Sequence, residues 1–161
     1  MNPICRVASR WLSRIASSYP DDGVLFTAVF LDRMSQQRLL KRFGQEHSEL
    51  QAHHMTIWFY DAPGKPLERL PLGRTVSLKV VGYATDEKAQ AAVVVPPASL
   101  RRSDGGFEHV TISTATGVSP VYSNTLLNHR WDAEEAKKGF PAITGKVGWW
   151  DGTRIRFDLP A

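Results

Sequence analysis

The sequence contains very little cysteine and no long apolar run, and both absences exclude classes of protein. Cys5 is the only cysteine among 161 residues, so the chain has neither a disulfide framework nor a cysteine-rich zinc site. No apolar stretch approaches the roughly 18 residues that a membrane-spanning helix needs. Neither a glycine-rich phosphate loop nor a nucleophile elbow occurs, which argues against ATP chemistry and against a serine hydrolase.

The composition is that of a single globular domain with a modest positive charge. Hydrophobic residues make up 42% of the chain and charged residues 22%, with five Trp, which suits one domain with one core. Lys and Arg outnumber Asp and Glu by 20 to 16, giving a net charge of +4. That charge suits an anionic substrate such as a nucleotide or RNA, but it is also ordinary for a basic protein.

The first 20 residues differ from the rest because they contain no acidic residue. Apolar residues recur there at helical spacing, and Arg6, Arg10 and Arg14 lie four apart on another face. We therefore expect an amphipathic basic helix over 1–20, followed by a single domain over 21–161. The helix either packs on the domain or serves as a targeting or membrane-surface segment. The expected protein is a cytoplasmic monomer, with organelle targeting as the alternative.

Strand patterns outnumber helical patterns in the remainder of the chain. A helix is predicted between Asp32, which can cap it as Ser35 also can, and Gly44, which ends it. Further helices are predicted over 121–127 and 131–138. We predict strands over 24–31, 53–60, 75–83, 89–95, 109–114, 143–150 and 153–157. Several of these strands are linked as hairpins, so the predicted fold class is α+β with a mostly antiparallel sheet.

The triplet His-x-Thr occurs in two of the predicted strands, at His54–Thr56 and His109–Thr111. Residues i and i+2 of a strand share a face, so each triplet projects an imidazole and a hydroxyl together. The intervening Met55 and Val110 point to the opposite face. If the two strands are neighbours, two imidazoles and two hydroxyls converge on one pocket.

Such a set of side chains suits phosphodiester hydrolysis. A histidine pKa near 6.5 lets one imidazole take a proton from water while the other gives a proton to the leaving oxygen. Threonine hydroxyls can donate to phosphate oxygens, where charge builds in the transition state. This chemistry needs no metal or other cofactor, and no set of His, Cys, Asp and Glu has zinc-site spacing. The alternative is that both histidines are ordinary residues of a sheet.

Longer segments around both triplets resemble a known family. The segment 109–118 (HVTISTATGV), followed by 123–127 (SNTLL), resembles the second motif of the 2H phosphoesterase superfamily. It is especially similar to the cyclic phosphodiesterase domain of plant tRNA ligases. The segment 53–57 (HHMTI) resembles the first motif, and 145–149 (GKVGW) resembles that domain's closing strand. The likeness extends from Val24 to Phe157.

The resemblance implies a bilobal, pseudo-symmetric fold with a central cleft. It also implies metal-independent opening of a 2′,3′-cyclic phosphate on a nucleotide or RNA end to a phosphomonoester. His54 and His109 would then be the acid and base, in an order that the sequence leaves open, and Thr56 and Thr111 would bind the phosphate. The resemblance covers the phosphodiesterase step alone, so a role in tRNA repair does not follow.

Residues near the two triplets are further candidates. Ser119, Tyr122 and Asn124 follow the second triplet and are predicted to bind substrate, Tyr122 by stacking on a base, although a structural role is equally open. A basic pair, 101–102, precedes the second triplet and would attract phosphate if its loop folds over the cleft. His53 is expected to point away from the face of His54.

Two alternative functions remain open at this point. One is a phage-type phosphodiesterase that degrades 3′,5′-linked cyclic oligonucleotide defence signals. The other is a non-catalytic module that binds a nucleotide or RNA. No DNA partner is expected in any of these cases.

Overall fold

The computed structural model describes residues 23–59, 67–102, 104–133 and 139–160. The predicted helix over 1–20 lies outside them. The strands in these ranges are β1 (Phe26–Leu31), β2 (Glu49–Leu50), β3 (His54–Phe59), β4 (Thr75–Thr85), β5 (Ala89–Val95), β6 (His109–Thr114), β7 (Ile143–Trp150) and β8 (Ile155–Arg156). The α-helices are α1 (Arg33–Phe43) and α2 (Tyr122–His129), with single 3₁₀ turns at Leu67–Arg69 and Ala98–Leu100.

Six antiparallel strands close into a barrel. The strand order is β1-β3-β6-β5-β4-β7, and β7 pairs again with β1, which completes the ring. The contact between β3 and β6 is the narrowest, because a single register pair, Met55 with Val110, joins them. The short strands β2 and β8 extend the ring at β6 and β7.

The predicted bilobal, pseudo-symmetric α+β fold is therefore wrong. The strands form one closed barrel instead of two lobes, and only two α-helices accompany them in the described ranges. The ring closes because β1 pairs with β3 along one edge and with β7 along the other. Hydrophobic periodicity identifies a strand and its faces but not its neighbours, so the sequence did not reveal this closure.

One face of the barrel strands fills the interior. The interior cluster includes Val29, Met55, Leu78, Val110 and Ile143, all of which are fully buried. A second cluster covers the outer face of β1 and β7, and it contains Phe26, Ala28, Phe30 and Trp150. Because β1 is covered on both faces, all six of its residues are buried, which explains its continuous apolar sequence.

The helices follow the predicted local signals. Asp32 caps α1 by accepting a hydrogen bond from the Ser35 backbone N–H at 2.7 Å. Gly44 ends the helix with a positive φ of 71°, which glycine adopts without strain. Leu39 of α1 joins the interior cluster.

The helix predicted over 131–138 is not found at 131–133, where Asp132 forms a bridge to Tyr83. Residues 134–138 lie outside the described residues. No helix in the described part of the chain is long and apolar enough to cross a membrane.

Candidate active site

The two His-x-Thr triplets lie on neighbouring antiparallel strands. Met55 of β3 pairs with Val110 of β6, and both side chains are fully buried in the interior. His54 and Thr56 flank Met55, and His109 and Thr111 flank Val110, so both triplets meet at this register pair. These four side chains occupy the face away from the interior because strand residues alternate in direction.

A cleft opens over this face. The triplet residues lining it are joined by side chains from three other segments of the chain. Among the described residues the lining consists of Gln51, His53, His54, Thr56, Phe59, Arg102, His109, Thr111, Pro120, Val121 and Asn124. Arg102 contributes a positive charge, which its ion pair with Asp104 partly neutralises, and no carboxylate appears in this set. The lining itself therefore offers donors but no negative charge to an anionic ligand.

The ring of His109 is oriented by the main chain. Its Nδ1–H donates to the carbonyl of Phe107 at 2.8 Å, which leaves Nε2 with a lone pair when the ring is neutral. Burial lowers the pKa of His109 below its ordinary value, while the hydrogen bond to the Phe107 carbonyl partly opposes that shift. The free site therefore holds a neutral imidazole that can accept a proton.

The ring of His54 lies in an apolar setting between strands. It packs against Phe26 and Phe30 of β1, at centroid distances of 5.1 and 6.0 Å. Burial lowers the pKa of His54 well below its ordinary value, and the neighbouring His53 and His109 lower it further. Both motif histidines are consequently neutral before a ligand binds, and an entering phosphate anion favours protonation of one of them.

The hydroxyl of Thr111 is held by a buried serine at the start of α2. Thr111 Oγ1 lies 2.8 Å from Ser123 Oγ and 3.4 Å from the carbonyl oxygen of Pro120. Ser123 is fully buried. When Ser123 donates to Thr111, the Thr111 hydroxyl donates to the Pro120 carbonyl over a long 3.4 Å contact, which a phosphate oxygen can replace.

Arg102 is anchored inside the cleft rather than solvated. Its Nε and Nη2 donate to the two carboxylate oxygens of Asp104 at 3.0 and 2.5 Å, and its Nη1 donates to Asn124 Oδ1 at 2.8 Å. The side chain is only 12% exposed. Such a fork-like arrangement fixes the guanidinium plane, so Arg102 lines the cleft in a defined orientation.

The other predicted substrate contacts fall in different places. Asn124 lines the cleft, where its Oδ1 accepts from Arg102. Tyr122 donates its hydroxyl to Asp86 at 2.7 Å and lies beneath the ammonium of Lys88, away from the lining. Ser119 accepts a hydrogen bond from the backbone N–H of Val121 and does not line the cleft either. The binding roles of all three remain predictions.

His53 lies in the cleft, contrary to the expectation that it points away. The alternation of side chains begins only at His54, where β3 starts. The preceding Ala52 has a left-handed backbone with φ 53°, which is uncommon for a residue other than glycine. Its N–H donates to the Thr111 carbonyl at 2.7 Å, and this turn directs His53 into the cleft. Neither composition nor hydrophobic periodicity signals such a turn.

Comparisons with known proteins establish the fold but not a family. No family model matches the chain, and no curated protein matches it. Among solved structures, a crystal structure of a fungal RNA kinase is similar, with a TM-score of 0.52 and 14% sequence identity over 86% of this chain. The match covers 44% of that kinase, so this chain spans less than half of its length. At this identity the likeness shows a shared fold.

Proposed function

We propose that this chain is a cyclic phosphodiesterase that opens a 2′,3′-cyclic phosphate on a nucleotide or RNA end. The observation that carries the proposal is the pairing of Met55 with Val110, which brings both His-x-Thr triplets into one cleft beside Arg102. The resemblance of both motif segments to the 2H phosphoesterase superfamily supports the same chemistry. The fold shared with an RNA kinase is consistent with a substrate that is an RNA end.

The proposed reaction is an attack of water on phosphorus. One neutral imidazole removes a proton from the water as its oxygen bonds to phosphorus. The bond from phosphorus to one ribose oxygen breaks, and the other imidazole, protonated in the complex, donates its proton to that oxygen. Thr56, Thr111 and Arg102 stabilise the charge on the non-bridging phosphate oxygens. The product is a ribose 2′- or 3′-phosphomonoester.

His54 and His109 are the proposed acid and base. The lone pair on Nε2 of neutral His109 fits either a base or, once protonated, an acid. The isomer of the product identifies which ribose oxygen leaves, and therefore which oxygen the acid faces.

The experiment is hydrolysis of the four nucleoside 2′,3′-cyclic monophosphates in EDTA. We expect turnover by the wild type and a loss of about 10²-fold or more in His54→Ala and His109→Ala, which is the usual contribution of one acid or base. His129→Ala is the matched control because His129 is an exposed residue at the end of α2. Its activity should equal that of the wild type.

Other outcomes separate the alternatives. Turnover of a 3′,5′-cyclic dinucleotide, with none of the 2′,3′ substrates, contradicts the proposal and favours degradation of a cyclic oligonucleotide signal. Binding of a 2′,3′-cyclic nucleotide without turnover contradicts it in favour of a binding module. Activity that disappears in EDTA and returns with a divalent cation contradicts the metal-independent mechanism.

A further inference from the structure

His53 closely contacts the proposed catalytic residue His54, and the proposed mechanism gives His53 no role. Their Nδ1 atoms lie 2.6 Å apart. The ring centroids are 4.7 Å apart and the ring planes differ by only 21°. Because the nitrogens are much closer than the centroids, the rings meet edge to edge rather than face to face. This is the geometry of a hydrogen bond between the two Nδ1 atoms.

The bond requires one Nδ1 to donate and the other to accept. If His54 donates, its Nε2 keeps a lone pair in the neutral ring and carries a proton in the charged ring, so His54 can serve as base or as acid. If His54 accepts, its Nε2 carries the proton in the neutral ring and cannot act as a base. The direction of this one hydrogen bond thus decides what His54 can do.

The other motif histidine, His109, is a hydrogen-bond donor through Nδ1. Its Nδ1–H donates to the Phe107 carbonyl, which leaves Nε2 for the ligand. Among the hydrogen bonds of the described residues, no backbone carbonyl accepts from His54 Nδ1. That nitrogen contacts His53 Nδ1 instead. Burial lowers the pKa of His53 to about 4, so His53 is neutral and able to accept near neutral pH.

The backbone around His53 fixes this arrangement. The carbonyl of His53 accepts from the Leu31 N–H at 2.9 Å, and the Ala52 N–H donates to the Thr111 carbonyl. The turn at Ala52 is therefore tied to β6, while His53 itself is tied to β1. Backbone strain maintained in this way is common at functional sites.

We propose that His53 is a positioning residue that accepts the Nδ1–H of His54 and so holds His54 in the tautomer with a free Nε2. This inference rests on the proposed function for its catalytic consequence, although the tautomer itself does not depend on any activity. The neutral imidazole of His53 does for His54 what the Phe107 carbonyl does for His109.

Few other ionisable groups face the pair. From β6, His109 is the titratable neighbour that acts on His54, and Arg102 lines the same cleft. The rings that β1 presents to His54 belong to Phe26 and Phe30. A change in the pH profile of a His53 variant therefore reports on His54. His109 and Arg102 are the other ionisable groups of the cleft, and the substitution leaves both in place.

Two substitutions at His53 separate hydrogen bonding from shape. His53→Phe keeps a planar ring but removes the acceptor, whereas His53→Asn keeps a polar atom near the position of Nδ1. The primary readout is the ¹⁵N shift of the His54 ring nitrogens in the full chain by NMR, which shows the protonated nitrogen directly. The second is kcat and KM for a nucleoside 2′,3′-cyclic monophosphate between pH 5 and 9.

In the wild type we expect neutral His54 to be protonated at Nδ1. His53→Phe should shift it toward the other tautomer, lower kcat on the order of 10²-fold with little change in KM, and move the pH profile. His53→Asn should restore most of both properties. Protonation of wild-type His54 at Nε2, or an unchanged tautomer in folded His53→Phe, would overturn the inference. If the wild type lacks turnover while the Nδ1–H tautomer is observed, the proposed function fails and the positioning role in the fold stands.

Discussion

The buried histidines make the stability of this protein depend on pH in a predictable direction. The pKa of His53 falls from 6.5 to about 4 on folding because the ring is buried. Between these values the unfolded chain binds a proton that the folded chain does not. The free energy of unfolding therefore falls as the pH drops below 6.5, and the loss from this residue is complete below about pH 4.

The size of the effect follows from that shift. One pKa unit corresponds to about 1.4 kcal/mol, so acidification from pH 7 to pH 5 costs about 2 kcal/mol through His53, as an upper value because part of the ring still contacts water. His54 and His109 also have lowered pKa values, and they add to the loss. The lowered carboxyl pKa values of Asp32 and Asp86 affect stability mainly at lower pH.

The assay is urea unfolding at pH 7 and pH 5, followed by tryptophan fluorescence. His53→Asn removes one of the titrating groups while keeping a polar side chain. We expect the difference in unfolding free energy between the two pH values to shrink by about 1–2 kcal/mol in this variant. An equal difference in variant and wild type would refute the reasoning, as would a wild type that becomes more stable on acidification.

Three further predictions test other parts of the structure. Ser123→Ala removes the partner of the Thr111 hydroxyl, so kcat/KM for a 2′,3′-cyclic monophosphate should fall about tenfold, as expected for one hydrogen bond; unchanged kcat/KM would contradict this role. Arg102→Lys loses the fixed guanidinium fork, which the proposed mechanism uses on the phosphate oxygens in the transition state, so it should lower kcat/KM in steady-state kinetics. An unchanged kcat/KM would show that Arg102 does not contact the anion. Gly145→Ala places a Cβ 2.6 Å from the Phe30 carbonyl oxygen, so it should lower the free energy of unfolding by about 1–3 kcal/mol in urea; wild-type stability would contradict the tight β1–β7 closure.

The sequence predicted the parts of the site that depend on local alternation. His54 and Thr56 share one face of β3, and Met55 is buried on the other. The same holds for β6 with Val110 inside. These features follow from the period of a strand, so no knowledge of the neighbouring strands was required.

The parts that depended on distant pairing were not predictable in this way. Nothing in the residues of β1 specifies that its two edges take β3 and β7, and this choice turns the predicted two lobes into one barrel. The position of His53 was missed for a different reason. It follows a non-glycine residue, Ala52, with a positive φ, and that conformation depends on a hydrogen bond to β6.

The location of the candidate site follows from the same closure. The seam between β3 and β6 carries one register pair, while β5–β6 and β1–β7 carry several. The cleft opens over the outer face of the two strands at this pair. Sequence neighbours of that pair supply both imidazoles and both hydroxyls, so Met55 and Val110 serve the proposed chemistry by holding the strands in register. A substitution that slips β3 by one residue against β6 would turn His54 and Thr56 into the interior, even with every proposed catalytic residue still present.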